Sequence, residues 1–160
     1  MVVRRVRAGE WRALRDVRLR ALQDAPGAFE TRYEEACLRP EEWWVDWAAR
    51  SAVGDAQAMF LAWDGDVPVG IVGTYVEDGG DRWLISMWTA PAARGGGVGR
   101  ALVDAVVAFA RAAGSAELLL EVAYGNEPAH ALYRACGFGD GEEGEPHPDG
   151  VRTRGMRLAL

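Results

Sequence analysis

The chain has 160 residues, 18 basic and 24 acidic side chains and 49% apolar residues, which is the composition of one ordinary globular domain. Its formal net charge of −6 argues against a nucleic-acid binder, and no apolar run approaches the roughly 20 residues of a membrane span. Two cysteines are too few for a zinc site, and the absence of lysine excludes a Walker P-loop and Schiff-base chemistry.

Hydrophobic periodicity predicts a chain of alternating helices and strands. In chain order, these are a strand at 2–7, helices from Glu10, at 29–36 and at 40–50, strands at 57–63, 67–76 and 82–89, a helix at 98–112, a strand at 117–124, a helix at 127–136 and a strand at 151–159. The polar stretch 139–150 is expected to be a loop. Because antiparallel hairpins lead into one strand–helix–strand unit, we predict a mixed sheet in a single α+β domain over residues 1–160.

A glycine-rich loop, Arg94-Gly95-Gly96-Gly97-Val98-Gly99, joins the strand at 82–89 to the following helix. Each glycine at a helix start costs roughly 0.5–1 kcal/mol relative to alanine, so the bare backbone needs a reason. A phosphate is the usual one, because N–H groups at a helix N-terminus bind anions and side chains would block the approach. Arg94 and Arg100 add positive charge on either side. A tight turn without a ligand is the alternative, and the spacing does not fit the G-x-G-x-x-G dinucleotide pattern.

A second segment, residues 121–138, reads EVAYGNEPAHALYRACGF. Asn126 is a favourable N-cap residue for the helix that follows. Asn126 and Tyr133 are two helical turns apart, so they share one face with Ala129, whose small side chain leaves room for a ligand chain. The alternative for both polar residues is structural: a cap for Asn126 and a core position for Tyr133.

The two segments together resemble the GNAT (GCN5-related) N-acetyltransferases. Arg94, Gly97 and Gly99 match the family's R-x-x-G-x-G loop. The second segment matches the family pattern V-x-x-x-N-x-x-A-x-x-L-Y-x-x-x-G-F at Val122, Asn126, Ala129, Leu132, Tyr133, Gly137 and Phe138. The fragment 18–29 is similar to the first helix of many bacterial members, which favours a bacterial source.

The resemblance implies a three-layer α/β/α fold with a mixed, mostly antiparallel sheet of about seven strands. Acetyl-CoA would lie between the strands at 82–89 and 117–124, where the sheet would splay. The amine acceptor would attack the thioester directly, so the resemblance implies neither an enzyme nucleophile nor a metal.

The resemblance also implies a role for individual residues. The backbone of Trp88 and Thr89 would bond the pantetheine amides in the way an added strand would. Asn126 and Ala129 would contact the pantetheine arm, and Tyr133 would protonate the leaving thiolate. The pyrophosphate would be held by the loop residues Arg94, Gly95, Gly97, Val98, Gly99 and Arg100.

The base that takes the proton of the amine is less well defined. An amine with a pKa near ~10.4 is mostly protonated at pH 7, so transfer needs a proton acceptor or a dry site. Glu121 is the residue we favour, because it is the one charge between Leu118–Leu120 and Val122, and we expect it to be buried. Glu77, Asp81 and a chain of water molecules are the alternatives.

The leading interpretation is an acetyl-CoA-dependent N-acetyltransferase that acts on a primary amine of a small molecule or a peptide N-terminus. A non-catalytic acyl-CoA-binding module on the same fold is the main alternative, and a binder of another phosphate ligand is a third. No secretory signal is visible, so we expect a cytosolic protein. The oligomeric state stays open, a homodimer included.

Acidic residues are expected to form a rim on the acceptor side of the cleft, which would favour a cationic amine over an acidic one. They lie on the second helix and in the 139–150 loop, and are Glu30, Glu34, Glu35, Asp140, Glu142, Glu143, Glu145 and Asp149. A solvated surface without a binding role is the alternative.

Overall fold

A seven-stranded mixed sheet forms the centre of the fold. In the computed structural model, which describes residues 1–160, its strands are β1 (Val2–Arg5), β2 (Gln57–Asp64), β3 (Val67–Val76), β4 (Arg82–Thr89), β5 (Glu117–Ala123), β6 (Gly139–Glu143) and β7 (Thr153–Ala159). Their order is β1-β2-β3-β4-β5-β7-β6, and only the β4–β5 pair is parallel. The predicted mixed, mostly antiparallel sheet of an α+β domain is therefore confirmed.

Helices cover both faces of this sheet. They are α1 (Trp11–Asp24), α2 (Tyr33–Cys37), α3 (Glu41–Ser51), α4 (Val98–Ala112) and α5 (Glu127–Ala135). Val17 of α1 and Ala48 of α3 share a hydrophobic cluster with Leu61 of β2, while Leu102 of α4 shares another with Phe60. Because β2 is buried on both faces, its sequence is a continuous apolar run rather than an alternating one. This arrangement confirms the three layers; none of the helices has the length and apolar character to span a membrane.

The sheet splays between β4 and β5. The two strands pair only at Arg82–Leu118 and Trp83–Leu119, although β4 continues to Thr89 and β5 to Ala123. Beyond these pairs the strands diverge, and a cleft opens between them. The splay implied by the family resemblance is confirmed.

A β-bulge in β4 accompanies the divergence. Ile85 pairs with Gly73 and Trp88 with Ile71, so two residues of β4, Ser86 and Met87, face one residue of β3. Ser86 has a φ of +59°, which is uncommon for a residue other than glycine. Bulges bend and twist a strand, so this one turns the end of β4 away from β5.

Two sequence expectations are corrected by the structure. The stretch 139–150 is not entirely a loop, because residues 139–143 form β6 at the edge of the sheet. All five of its residues are exposed, so no apolar pattern marks it. The second helix does not begin near residue 29: Phe29 is extended after a 3-10 turn at Pro26–Ala28, and α2 starts at Tyr33.

Buried Arg82 holds the closed end of the cleft, where β4 and β5 still pair. It is 3% exposed and donates to Ser115 Oγ at 2.8 Å, to the Asp55 carbonyl at 2.7 Å and to Thr74 Oγ1 at 3.4 Å. The Arg82→Met variant leaves these acceptors unpaired, so we expect a loss of about 2–4 kcal/mol of unfolding free energy, or roughly 5–15 °C in Tm.

Calorimetry of the two purified proteins measures this loss. Arg50→Met is the matched control, because Arg50 forms an exposed ion pair with Asp46 that contributes little to stability. A Tm for Arg82→Met no lower than that of Arg50→Met would contradict the assignment of Arg82 as the anchor of the closed end.

Candidate active site

The cleft between β4 and β5 encloses about 100 Å³. The turn after α1, strands β4 and β5 and the first two turns of α5 form its walls. Its lining residues are Ala28, Phe29, Leu84, Ile85, Ser86, Met87, Glu121, Val122, Ala123, Asn126, Ala129 and Tyr133. The fold thus brings together Glu121, Asn126, Ala129 and Tyr133, which the sequence singled out. Neither Glu77 nor Asp81, the alternative bases, lines this cleft.

Tyr133 is buried, but its hydroxyl forms no hydrogen bond within the protein. It is 5% exposed, and its ring packs edge-on against Phe138 with centroids 5.8 Å apart. No group of the chain hydrogen-bonds the hydroxyl. Burial, with a smaller effect from Cys136, raises the pKa of Tyr133 well above its usual value. The phenol is therefore fully protonated at neutral pH and can act as a proton donor in the cleft.

Glu121 is exposed, so the expectation that it is buried is wrong. Its strand neighbours Leu120 and Val122 are buried, and alternation along β5 turns Glu121 to the opposite face. Its carboxylate accepts a hydrogen bond from Thr153 Oγ1 at 3.0 Å. Gly144 lies beside this pair, because a Cβ on it would be 2.9 Å from Glu121 Cδ. The carboxylate thus has a fixed partner on β7 and access to water.

Asn126 caps α5 and still has free donors. Its Oδ1 accepts from the N–H of Ala129 at 3.4 Å, as predicted for an N-cap. An asparagine side chain also carries an NH₂ group with two donors. Because the cap uses only the oxygen, the NH₂ group can donate to a ligand in the cleft, and the structural and binding roles are compatible.

The glycine loop places free N–H groups at the start of α4. Gly95 and Gly97 have φ values of +81° and +84°, and a Cβ on either would meet nothing within 4 Å. Gly97 is the N-cap of α4, so the N–H groups of Val98, Gly99 and Arg100 have no partner inside the helix. An anion can therefore approach three backbone donors at the positive end of the helix dipole.

Gly99 has a different reason to lack a side chain. A Cβ there would lie 3.0 Å from Cδ2 of Leu132 on α5 and 3.4 Å from Cε of Met87 on β4. The small residue lets the start of α4 pack against both walls of the cleft. Gly99 therefore allows α4 to pack closely against α5 and β4, and it also leaves the backbone at the start of α4 open.

Both arginines that flank the loop have partners within the protein. Arg94 forms an ion pair with Asp24 at 2.5 Å and donates from Nε to the Thr89 carbonyl at 3.0 Å. Arg100 donates to the Ala135 carbonyl at 3.2 Å. Their positive charge remains near the loop, but neither guanidinium is free.

Asp24 makes two contacts near the site, with Arg94 and Trp88, that the sequence analysis did not predict. Besides binding Arg94, it accepts from Trp88 Nε1 at 2.8 Å, and this bond is the main reason that its pKa is lowered. The carboxylate ties the end of α1 to the end of β4. A signal was present in the sequence, because an aspartate at a helix C-terminus opposes the helix dipole and needs a compensating partner.

The open edge of β4 presents the backbone of Thr89 rather than that of Trp88. The Ala90 N–H donates to the Val69 carbonyl, and Trp88 pairs with Ile71. Antiparallel strands alternate, so the backbone groups of Trp88 face β3 and those of Thr89 face the splayed side. Since the Thr89 carbonyl already accepts from Arg94, its N–H is the group left for a ligand.

A groove of about 1130 Å³ lies beside the cleft and shares Phe29 with it. Four residues of the predicted acidic rim line this groove: Glu30, Glu34, Glu35 and Asp149. The other four, Asp140, Glu142, Glu143 and Glu145, do not. His147 also lines the groove, with its Nε2 3.6 Å from the Glu30 carboxylate. No cluster of three or more His, Cys, Asp or Glu residues is arranged to hold a metal.

The model of the acetyltransferase (GNAT) family matches residues 13–138 of the chain. A mycothiol acetyltransferase of Geodermatophilus obscurus is 36% identical over 111 residues, which cover 66% of this chain and 33% of that protein. An IAA acetyltransferase of Azospirillum brasilense is 42% identical over 73 residues, which cover 45% of this chain and 48% of that protein. The matches thus span between a third and a half of the length of these curated relatives.

Solved structures show the same fold over nearly the whole chain. A GNAT-family acetyltransferase from Streptococcus pneumoniae superposes with a TM-score of 0.85 at 18% identity, covering 99% of both chains. The yncA protein of Salmonella typhimurium, solved with acetyl-CoA, superposes with a TM-score of 0.78 at 19% identity, covering 100% of this chain and 94% of that one. At these identities the likeness establishes the fold.

Proposed function

The chain belongs to the GNAT acetyltransferase family, and on that premise we propose that it transfers the acetyl group of acetyl-CoA directly to a primary amine of a small molecule or a peptide N-terminus. The observation that carries the proposal is Tyr133, a buried and protonated phenol without a protein partner, in the cleft between the splayed strands. A module that only bound acyl-CoA would have no use for a proton donor at this position.

The residues around the cleft fit acetyl-CoA. The N–H groups at the start of α4 suit the pyrophosphate, and Gly95 and Gly97 leave the approach open. The free N–H of Thr89 and the NH₂ group of Asn126 suit the amides of the pantetheine arm, which would run along the open edge of β4. Together these groups would direct the thioester into the cleft with Tyr133.

The proton movements follow from the two titratable groups of the cleft. The acceptor arrives as an ammonium ion, and Glu121 takes a proton from its nitrogen and passes it to water. The nitrogen bonds to the carbonyl carbon as the bond from that carbon to sulfur breaks, and it then loses a second proton to Glu121, which again passes it to water. Tyr133 donates its proton to the sulfur and regains one from solvent. The products are the N-acetyl amine and the free thiol of CoA, with no covalent enzyme intermediate.

Thiol release from acetyl-CoA, measured across amines, aminoglycosides, amino acids and peptide N-termini, tests this function. We expect release that depends on the acceptor for at least one of these classes. Thermal stabilisation by CoA without release for any acceptor would instead support the non-catalytic module. Stabilisation by NAD or ATP and none by CoA would overturn both readings.

A pH profile tests the role of Glu121. We expect Glu121→Gln to lower kcat/KM by roughly 10²-fold at pH 7, since a general base contributes about that factor. Near pH 9.5, kcat/KM of Glu121→Gln should be only a few-fold below that of the wild type, because much of the amine is then deprotonated in solution without a base from the enzyme. Glu117→Gln, on the same strand but outside the cleft, is the control. A profile for Glu121→Gln parallel to that of the wild type would contradict the role.

Salt dependence tests the acidic lining of the groove. We expect the dipeptide Ala-Lys to have a higher kcat/KM than Ala-Glu at low ionic strength, because Glu30, Glu34 and Glu35 attract cations. The difference should narrow as salt screens the field over a Debye length of about 8 Å at 0.15 M. A preference for Ala-Glu, or a ratio that salt leaves unchanged, would contradict a cation-attracting rim.

A further inference from the structure

Arg18, on the face of α1 that packs into the protein, is a buried guanidinium without a partner. The residue is 8% exposed, and it makes no hydrogen bond and no ion pair. Its Nη1 is enclosed and unpaired, while the other two nitrogens, also without partners, retain contact with solvent. Arg82 is the instructive contrast, because it is also buried and has three acceptors.

A buried charge of this kind is unfavourable unless something compensates it. Burial, together with the nearby positive charge of Arg39, lowers the pKa of Arg18 to about 10, so the group still carries its charge at neutral pH. The guanidinium makes a cation–π contact with Phe29, whose ring centroid lies 4.8 Å from Arg18 Cζ. An aromatic ring attracts a cation more weakly than a carboxylate does. No side chain of the protein therefore supplies the negative charge that would compensate Arg18.

Arg18 lies behind Phe29, next to the cleft and the neighbouring groove, although it is not itself among the residues that line either. Phe29, which covers its guanidinium, lines both the catalytic cleft and the neighbouring groove. Leu22, one turn further along the same face of α1, also lines the groove. The groove is acidic at Glu30, Glu34 and Glu35, so the positive charge of Arg18 lies one side chain away from a negative rim, behind Phe29.

We propose that Arg18 binds the carboxylate of the acceptor, so that the substrates are zwitterions that carry both an amine and a carboxylate, such as amino acids and short peptides. The inference rests on the proposed acetyl transfer and narrows its substrate class. One guanidinium balances a single negative charge, and the acidic rim would repel a doubly charged phosphate, so a carboxylate is the favoured anion. The rim attracts the ammonium group of the same molecule.

The preference for a free carboxylate tests the proposal. We compare the dipeptide Ala-Ala with its C-terminal amide, because the two have similar amines and differ in the carboxylate. We expect the wild type to favour the free acid by roughly tenfold to a hundredfold in kcat/KM, chiefly through KM, as one charge-assisted hydrogen-bonded pair would give. In Arg18→Met this ratio should fall to about one. Arg12→Met, on the exposed side of α1, should keep the wild-type ratio.

Stability separates this role from a structural one. Removing an unpaired buried charge should leave the Tm of Arg18→Met unchanged or higher, because the methionine suits the apolar surroundings. A structural arginine that only stacked on Phe29 would give a lower Tm and an unchanged acid-to-amide ratio. That result would overturn the proposal.

A binding measurement keeps the proposal testable whatever the turnover. Thermal shift with the product N-acetyl-Ala-Ala and with its amide needs no catalysis. We expect the acid alone to stabilise the wild type, and neither ligand to stabilise Arg18→Met. If no amine is acetylated, the proposed function fails, and this measurement still decides the role of Arg18. Equal stabilisation of the wild type by acid and amide, or acid preference retained in Arg18→Met, would overturn the inference.

Discussion

Replacing Tyr133 by phenylalanine should lower kcat by a factor of about 10–10³ and leave the affinity for CoA within a few-fold of the wild type. The ring would keep its contact with Phe138, and the lost hydroxyl has no partner in the protein. The fold therefore loses no hydrogen bond, while the leaving sulfur loses its proton donor. Steady-state kinetics with saturating acetyl-CoA and calorimetric titration with CoA measure the two quantities separately.

The pH dependence follows from the same side chain. A phenol donates while it is protonated, so its contribution is lost only as the pH rises through its pKa. Because burial raises the pKa of Tyr133, the wild type should show no fall in kcat from this group below about pH 10. Tyr124→Phe is the control, since Tyr124 is exposed and its hydroxyl donates to Glu143. An unchanged kcat in Tyr133→Phe would remove Tyr133 from the mechanism.

Replacing Gly97 by valine should weaken CoA binding about a hundredfold or more. The φ of +84° is strongly disfavoured for a β-branched residue, so the loop must change its backbone and with it the direction of the N–H groups. Each lost charge-assisted hydrogen bond to phosphate is worth about 1.5–3 kcal/mol, and two such losses already exceed a hundredfold. Titration with CoA measures the affinity.

The strain itself costs stability, and a matched variant measures that cost. Gly80 has a φ of +86° and open space around it, but lies in the turn between β3 and β4. Gly80→Val should lose about 1–3 kcal/mol of stability, comparable to Gly97→Val, and bind CoA normally. Wild-type affinity in Gly97→Val would show that the loop does not hold the pyrophosphate. Gly99→Val is a poorer test, because its side chain would clash with Leu132.

Local patterns in the sequence predicted the parts of the site that depend on neighbours along the chain. The glycine loop, the bounds of α4 and the cap at Asn126 are of this kind, since each is set by a few consecutive residues. The exposure of Glu121 was predictable as well, because Glu121 lies between Leu120 and Val122 in a strand and so faces the side opposite to these two buried residues. The apolar neighbours of Glu121 suggested burial, but successive side chains of a strand point to opposite faces, so buried neighbours imply an exposed Glu121.

Contacts between distant segments could not be predicted in the same way. Asp24 meets Trp88 and Arg94 only because α1 packs across the sheet, and no short pattern records that packing. The edge strand β6 has no apolar residue and forms by backbone pairing with β7. The burial of Arg18 likewise depends on where Phe29 lies after the turn that ends α1. In each case the fold supplies the neighbour, and no local sequence pattern identifies which residue that neighbour is.

The central claim is direct acetyl transfer in the cleft. Its most direct test measures the stoichiometry of the products that the wild-type enzyme forms from acetyl-CoA and an amine acceptor such as Ala-Ala. Mass spectrometry would follow the acetylated acceptor and the intact enzyme while a thiol reagent follows free CoA. Direct transfer in the cleft predicts one N-acetyl product per thiol released and an enzyme of unchanged mass. Thiol release without acetylated acceptor, or an acetyl group retained on the enzyme, would contradict it.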